Sequence, residues 1–336
     1  MMIDKSKKIP NFKGKKVLVT GGSGFIASHL CRRLINNCSE LFVTTKYNSV
    51  IDNIRLVDIW DDLHPLEIDL RNVDALKVLK SIKPDIIYHF AAYNHVGDSF
   101  VNVSEAIDSN SKGSVNILEA YGSFERFIYI STSEVYGYQE SVPFSEEMTP
   151  HPISPYSIGK YAGELYARMK QHIFDLPIVV IRPFNAFGPY QSKRAVIPEI
   201  IDKCISGKEI VTTTGEQTRE FNYIDNLVDG FLLAAVEPKA IGEIINIGCG
   251  HEVSIRDLVM KIHTLSESDS NLKIGELKYR PTEIWRMFAD NSKAENILNW
   301  KPKVSFEKGL INTIEWFRKY HDVFIDEKSS LIRLSQ

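Results

Sequence analysis

Short apolar runs alternate along the chain with longer segments in which apolar residues recur every three or four positions. The runs predict buried strands and the longer segments predict amphipathic helices. Predicted strands lie at residues 15–20, 41–45, 85–91, 126–131 and 178–182, and predicted helices at 25–36, 104–121 and 155–172. Strands that alternate with helices are typical of βαβ units, so the pattern predicts an α/β fold with a doubly wound parallel sheet.

This rhythm loosens after residue 185, where Pro and Gly become more frequent and the units shorten to segments such as 209–214 and 243–247. We therefore predict a first domain over 15–185 and a smaller C-terminal α/β lobe that occupies most of 186–320. Segment 220–236 has the pattern of a helix, and 220–250 is predicted to return to the first domain. Residues 321–336 lack clear periodicity and are interpreted as a terminal appendage.

Composition narrows the class of protein. Of the 336 residues, 43% are hydrophobic and 25% charged, which is typical of a folded globular protein. The net charge of -3 gives no support to a nucleic-acid partner. The four cysteines show no Cys-x-x-Cys spacing, so we expect reduced thiols, no metal site and a cytoplasmic protein. No apolar run approaches a membrane span, and no membrane association is expected.

A glycine-rich turn follows the first predicted strand. Gly21 and Gly24 stand in the segment TGGSGFIA, and Phe25 and Ile26 open the next helix. Glycines at this junction let the backbone approach a pyrophosphate, whose charge is stabilised by the free N–H groups of the helix N-terminus. The position after the first strand of a long βαβ series predicts a Rossmann-type domain that binds NAD or NADP.

The second predicted strand ends without the acid that would hold the adenosine ribose. It ends instead in Thr45 and Lys46, so nothing there would repel a 2′-phosphate. Asp69 and Leu70 close a third apolar segment and are candidates for the adenine edge. These residues slightly favour NADP over NAD.

Tyr156 and Lys160 stand four positions apart on a helix that Ser154 and Pro155 would start. They share a helix face, and an ammonium held beside a phenol favours the phenolate, a base usable near neutral pH. Tyr166 and Lys170 repeat the spacing on the same helix. We interpret that second pair as ordinary helix surface, because it lies about three turns from the sheet edge where ligands bind.

Three motifs in this order carry a resemblance: TGGSGFI, the strand-end stretch STSEVYG at 131–137, and Tyr-x-x-x-Lys at 156–160. From about residue 15 to 318 the chain resembles the extended short-chain dehydrogenases/reductases, the nucleotide-sugar epimerases and dehydratases. The resemblance implies that Thr132 and Tyr156 contact the sugar 4-hydroxyl. The stretch AAYNHV, with Ala91 and Ala92 on the cofactor side and His95, is similar to one in sugar-nucleotide 4,6-dehydratases.

The remaining motifs resemble more than one subfamily. The RPTE stretch at 280–283 resembles GDP-mannose 4,6-dehydratases, whereas NAFGP at 185–189 and TREF at 218–221 follow the dTDP-glucose and UDP-sugar enzymes. Ser133 stands where the dTDP-glucose enzymes place an Asp general acid. Glu134, where plain 4-epimerases carry small residues, suggests carbon chemistry after oxidation. The resemblance nominates Asn185, Arg219 and Arg280 for the substrate diphosphate, with Arg194 and His95 as weaker candidates.

Together these residues predict a nucleotide-diphosphohexose 4,6-dehydratase with a tightly bound NADP or NAD that is regenerated each turnover. Tyr156, Lys160 and Thr132 would oxidise C4, and Glu134 would act at C5 and C6, with Ser133 an alternative acid. UDP-glucuronate decarboxylation and 4-epimerisation stay open as other reactions. A dinucleotide-sensing binding protein is the non-enzymatic alternative. The resemblance alone implies a homodimer through the helices at 104–121 and 155–172.

Overall fold

The computed structural model describes residues 10–46, 55–279 and 283–321. Its strands are β1 (Phe12–Thr20), β2 (Cys38–Thr45), β3 (His64–Glu67), β4 (Ile86–His89), β5 (Arg126–Ile130), β6 (Ile178–Pro183), β7 (Ala186–Phe187), β8 (Ile210–Thr212), β9 (Thr218–Glu220), β10 (Asn222–Tyr223), β11 (Ile244–Ile247), β12 (Glu252–Ser254) and β13 (Leu272–Ile274). Its helices are α1 (Phe25–Leu34), α2 (Leu79–Ile82), α3 (Val96–Ser99), α4 (Val103–Ile107), α5 (Gly113–Ala120), α6 (Pro155–Phe174), α7 (Val196–Ile205), α8 (Ile224–Val236), α9 (Ile255–Leu265), α10 (Ser292–Leu298) and α11 (Phe306–Tyr320).

Within these ranges, seven strands form one parallel sheet in the order β3–β2–β1–β4–β5–β6–β11. The predicted doubly wound Rossmann-type sheet is confirmed. The strand order reverses between β1 and β4, and such a reversal opens a crevice at the carboxyl ends of the strands. The glycine-rich turn after β1 lies at this reversal.

Both faces of the sheet are covered, which explains why its strands are continuous apolar runs rather than alternating patterns. Val17 and Val19 of β1 pack in one core cluster with residues of α1 and α8. Leu18, between them, packs in a second cluster with residues of α5 and α6. Because side chains alternate along a strand, one apolar run contributes residues to the cores on both faces of the sheet.

The helix predicted at 104–121 is interrupted. Its α-helical parts α4 and α5 are joined by a π-helical turn at Asp108–Lys112, inside which the Asn110 side chain is fully buried. Such turns occur often at functional sites. The helix predicted at 155–172 is continuous as α6, and Ser154 and Ser157 form a capping box at its start, which fixes the first turn that carries Tyr156.

The later part of the chain contributes a strand to the sheet, while the assignment of 220–250 to the first domain stays a prediction. The helix in that segment begins at Ile224 rather than at 220, because 218–223 forms the short strands β9 and β10. Strand β11 pairs with β6 as an edge of the main sheet. The division into domains at 185 stays a prediction, and of the appendage predicted at 321–336, residues 322–336 lie outside the described residues.

The described residues contain no helix long and apolar enough to cross a membrane. They also contain no cluster of His, Cys, Asp and Glu with the geometry of a metal site. The four cysteines, all within the described ranges, are free thiols.

Candidate active site

A cleft of about 1470 Å³ runs along the carboxyl edge of the sheet, over the turn that follows β1. Pockets for one small ligand are typically about 300–1000 Å³, so this cleft has room for a dinucleotide and a second ligand side by side. Most of the residues that the sequence nominated line it: Gly21, Gly24, Phe25, Thr45, Lys46, Asp69, Leu70, Ala91, Ala92, His95, Glu134, Asn185, Arg194 and Arg219.

The glycine turn is shaped by close backbone contacts. Gly21 has φ +63°, and a Cβ there would lie 2.8 Å from the Cα of Ala91 at the end of the neighbouring strand. A Cβ at Gly22, which the sequence analysis did not nominate, would collide with Val43 of β2. Only glycine fits either position, so the turn lies flat against the strand ends. The first turn of α1 thereby faces the cleft, as a pyrophosphate would require.

The end of the cleft that would hold the adenosine ribose is charged with both signs. Thr45 is nearly buried, while Lys46 is exposed and its Nζ lies 3.8 Å from Glu105 Oε1. Asp69 accepts hydrogen bonds from Arg71, with Nη2 at 2.7 Å from Oδ2, and this lowers the pKa of Asp69. Arg71, a cleft residue that sequence reasoning missed, is a second cation at this end.

Tyr156 and Thr132 lie next to each other and close to Glu134 of the cleft. Thr132 lies two residues after the end of β5, and its Oγ1 accepts a hydrogen bond from the Glu134 backbone N–H at 3.2 Å. The Thr132 side chain also hydrogen-bonds the Tyr156 phenol and thereby lowers its pKa. The strand-end motif and the helix-borne Tyr are thus brought together as the resemblance implied.

Lys160 corrects the expectation for the phenol. Its Nζ donates to the Ile130 carbonyl at 2.5 Å and lies 4.8 Å from the centre of the Tyr129 ring. Burial raises the pKa of Tyr156 to about 12, against the expected fall, and lowers the pKa of Lys160 to about 7. The reason is that i, i+4 spacing aligns the two Cβ atoms, but the long Lys side chain runs down to the strand carbonyl, and a low-dielectric site disfavours both charged forms.

Glu134 lines the cleft beside two charged side chains that come from distant segments. Arg219 Nη2 donates to Glu283 Oε1 at 2.7 Å, and both of these residues line the cleft. Burial raises the pKa of the Glu134 carboxyl, the Arg219 cation lowers it, and the Glu283 charge raises it. Glu283, quoted from the sequence only as part of a motif, is a site residue that spacing could not reveal, because it is 64 positions from Arg219.

The remaining nominated residues have separate placements. His95 and Arg194 meet at the cleft around Asp98, with Arg194 Nη2 at 2.7 Å from Asp98 Oδ2. Ser133 is buried at 3% exposure beside Thr132. Ile26 packs against the hydrophobic core under the glycine turn. Arg280 lies outside the described residues.

Asn110 is a further site residue that sequence reasoning missed. Its Oδ1 accepts from the Tyr93 N–H at 2.7 Å, and its Nδ2 donates to the Tyr93 carbonyl at 3.1 Å and the Tyr156 carbonyl at 3.4 Å. It therefore ties the cleft wall to the first turn of α6. The only signal in the sequence was a polar residue in the middle of a predicted helix.

Comparison with protein families agrees with this geometry. The family model described as GDP-mannose 4,6 dehydratase matches residues 18–313. The chain belongs to this family. Its members are extended short-chain dehydrogenases/reductases, so the predicted family of nucleotide-sugar dehydratases is confirmed.

Individual members of the extended short-chain dehydrogenase/reductase family resemble the chain over nearly its whole length. A dTDP-D-glucose 4,6-dehydratase of Bos taurus is 32% identical over 323 residues, 92% of this chain and 90% of that protein. The solved structure of a dTDP-glucose 4,6-dehydratase from Streptomyces venezuelae, with NAD bound, has a TM-score of 0.84 at 29% identity and covers 90% of this chain and 97% of its own. A UDP-glucuronic acid 4-epimerase from Bacillus cereus, solved with UDP-glucuronic acid and NAD, has a TM-score of 0.83 at 31% identity, covering 90% and 99%.

Dehydratases and epimerases therefore both stand among the relatives of this chain. The protein is an enzyme of this nucleotide-sugar family, and the choice between the two reactions depends on the side chains in the cleft.

Proposed function

We propose that this protein is a nucleotide-diphosphohexose 4,6-dehydratase that forms a 4-keto-6-deoxy sugar nucleotide. The observation that carries the proposal is Glu134, a carboxylate in the cleft wall next to the Thr132 and Tyr156 pair. Oxidation at C4 needs the phenol, its partner Thr132 and the positive charge of Lys160 on the same helix to favour the phenolate. A carboxylate beside them can in addition move the proton at the neighbouring carbon.

The cleft residues fit a nicotinamide dinucleotide. Gly21 and Gly22 leave no room for a Cβ, which keeps the backbone open to a pyrophosphate at the start of α1. When bound, the dinucleotide supplies a hydride acceptor and donor and, in its oxidised form, a positive charge. That charge would offset part of the cost that burial imposes on the Tyr156 phenolate. The NAD found in the two solved relatives supports the same cofactor class here.

The residues divide the reaction into three steps. Tyr156 takes the proton of the C4 hydroxyl, assisted by its hydrogen bond to Thr132, as hydride leaves C4. Glu134 then removes the C5 proton, which the new ketone has made acidic, and the C6 hydroxyl departs as water with a proton from the same carboxyl. Hydride is finally returned to C6 and C5 takes up one proton, equivalent to the one that Tyr156 removed from the C4 hydroxyl. The net change is therefore the loss of one water, and the side chains return to their starting protonation states.

Glu134 is suited to act twice. Burial raises its pKa, which moves the carboxyl towards the range where it both accepts and donates a proton near neutral pH. A Ser hydroxyl is a weak acid, so Ser133 is the less suitable proton donor. Arg219 and Asn185 at the cleft are proposed to hold the substrate diphosphate, with most of 186–320 forming the lobe that binds the nucleotide sugar.

The proposal is tested by incubating the purified protein with GDP-, UDP-, dTDP- and CDP-hexoses and UDP-glucuronate, without added cofactor, and measuring product masses. A product lighter by one water supports dehydration. Loss of carbon dioxide would identify a decarboxylase, and an unchanged mass with inverted C4 would identify a 4-epimerase. Accumulation of NADH or NADPH in step with product would also contradict the redox-neutral sequence.

NADP is proposed as the slightly preferred cofactor, because Thr45 and Lys46 place no acid at the end of β2. One cation about 4 Å from a phosphate contributes roughly 4 kcal/mol at an effective dielectric of about 20, of which about a quarter would remain after desolvation. We therefore expect Lys46→Ala to lower the NADP-to-NAD affinity ratio about fivefold. Dissociation constants of both cofactors check this, with Lys77→Ala, an exposed lysine paired with Asp74, as the control. Only NAD in the purified protein and an unchanged ratio would contradict it.

A homodimer is proposed on an apolar stripe of α6. Ile158, Leu165, Met169 and Ile173 are 38–61% exposed at spacings of seven, four and four, which places them on one side of the helix. An unpaired charge in such an interface costs about 3 kcal/mol or more. We expect Leu165→Glu to raise the dimer dissociation constant about 100-fold, measured by sedimentation. Met260→Glu, an equally exposed apolar position on α9, is the matched control, and a wild-type monomer would contradict the proposal.

A further inference from the structure

A fully buried ion pair lies directly behind the catalytic helix, outside the residues that the proposed reaction uses. Glu164 of α6 and Arg182 of β6 are 0% and 1% exposed. Arg182 Nη2 donates to Glu164 Oε1 at 2.6 Å and its Nε to Oε2 at 3.1 Å. Buried pairs of this kind contribute little to stability because of their desolvation cost. The position of the Glu164–Arg182 pair beside the site therefore suggests another role.

Glu164 stands four residues after Lys160, on the same helix face. The titratable groups that the structure places at the Lys160 amine are Glu164 on its own helix, Tyr129 on β5 and His89 on β4. Glu164 in turn faces two cations, Arg182 and the half-exposed Arg168, whose Nη1 lies 4.0 Å from Oε1. His89 is buried, and its pKa is lowered to about 3 by burial and by the Lys160 charge. Among the described residues, Glu164 is the anionic neighbour of Lys160. Burial lowers the pKa of Lys160 to about 7 even though the Glu164 charge raises it.

The same carboxylate holds the end of the catalytic strand. Ser131 Oγ donates to Glu164 Oε2 at 2.6 Å, and the Ser131 N–H donates to the Ile181 carbonyl at 2.7 Å. The next residue is Thr132, which hydrogen-bonds the phenol. Glu164 is therefore connected to the amine through the helix and to the phenol through the strand.

Arg182 keeps Glu164 in this position. Its guanidinium lies 4.7 Å from the centre of the Tyr136 ring, and the Tyr136 hydroxyl donates to Asn246 Oδ1 at 2.7 Å. Both carboxylate oxygens of Glu164 are engaged by Arg182, and one of them also by Ser131. The pair is thus oriented with its negative end on the helix that carries Lys160.

We propose that Glu164 is a positioning residue that keeps the buried Lys160 amine protonated and fixes the strand end that carries Thr132. The inference rests on the proposed function only where activity is measured. The protonation state of Lys160 is a property of the protein itself and can be followed without turnover.

The decisive variant is Glu164→Gln, which keeps the shape and removes the charge. We expect the pKa of Lys160 to fall by about one to two units, the effect of one lost charge in a site of intermediate dielectric. It is measured in the protein with its cofactor bound, by NMR titration of ¹³C-labelled lysine, with the Lys160 signal assigned by its loss in Lys160→Arg. The alkaline limb of kcat/KM, where Lys160 loses its proton, should move to lower pH by the same amount.

The control is Glu119→Gln. Glu119 accepts hydrogen bonds from Tyr166 and Lys170, the second i, i+4 pair of α6, on the exposed side. This variant should leave both the Lys160 titration and the pH profile unchanged. An unchanged Lys160 titration in Glu164→Gln would overturn the proposal, whether or not the enzyme proves to be a dehydratase.

Removing one member of a buried pair can prevent folding, because the partner charge is left uncompensated. The double variant Glu164→Gln with Arg182→Met removes both charges. If Glu164 serves only the packing, this variant keeps the wild-type titration of Lys160. If the charge itself acts on the amine, the folded double variant shows a lowered pKa of Lys160, by less than Glu164→Gln, because loss of the Arg182 cation offsets part of the effect.

Discussion

Replacing Glu134 by Gln is expected to lower the rate of dehydration about 10²–10⁴-fold, the usual cost of losing a general base. The amide keeps the size of the side chain but cannot accept the C5 proton. The first oxidation should survive at least in part, because Tyr156 and Thr132 are untouched. The variant therefore separates the two halves of the proposed reaction.

The measurement is solvent deuterium at C5 together with the mass of the product. We expect the variant to incorporate no deuterium at C5 and to release water very slowly, while near-ultraviolet absorbance still reports hydride transfer to the bound dinucleotide. The matched control is Glu140→Gln, because Glu140 is an exposed glutamate six residues after Glu134. Wild-type rates of both exchange and dehydration would show that Glu134 is only structural.

The charges around Glu134 make its pKa sensitive to what occupies the cleft. Arg219 and Glu283 act on its pKa in opposite directions, and they are themselves joined in an ion pair at the cleft. A substrate diphosphate that engaged Arg219 would compete with Glu283 for it. The proton affinity of Glu134 is then coupled to occupancy of the cleft, which suits a group that must exchange protons only when substrate is present.

The fold was predictable because its signals are local. Continuous apolar runs such as that ending in Thr20 arise only where a strand is covered on both faces, and a glycine turn with so little space around Gly21 occurs where a strand passes directly into a helix. The errors lie at element ends. Residues 220–223 were predicted as the beginning of a helix but belong to short strands, because the partners of these strands near 186 and 252 are distant in sequence.

The site was predictable only in part, for the same reason. The proximity of Thr132 and Tyr156 follows from the motifs, because each lies at a fixed offset from a strand end or a helix start, while their roles stay a prediction. The direction of the Lys160 side chain could not be predicted, because spacing fixes a Cβ but not the path of four methylenes to the Ile130 carbonyl. The approach of Glu283 to Arg219 depends on tertiary packing that no motif contains.

Tyr156→Phe should lower the overall rate about 10³–10⁴-fold, towards the upper end of the range for general acid–base groups. The variant keeps the aromatic ring but removes the hydroxyl that hydrogen-bonds Thr132 and that would accept the C4 proton. Because burial raises the pKa of Tyr156 to about 12, the phenolate forms only when the occupied site stabilises it. The activity of the wild-type enzyme should accordingly rise with pH until Lys160 loses its proton.

The assay that distinguishes this variant from Glu134→Gln is hydride transfer itself. Without the phenol the C4 hydroxyl keeps its proton, so neither the absorbance change of the dinucleotide nor deuterium exchange at C5 should occur, and both steps fail together. Tyr166→Phe is the matched control, since Tyr166 has the same spacing to a lysine on the same helix but bonds Glu119 on the exposed side. If Tyr156→Phe transferred hydride at the wild-type rate, another group would have to accept the C4 proton, and the assignment of the base to this helix would be wrong.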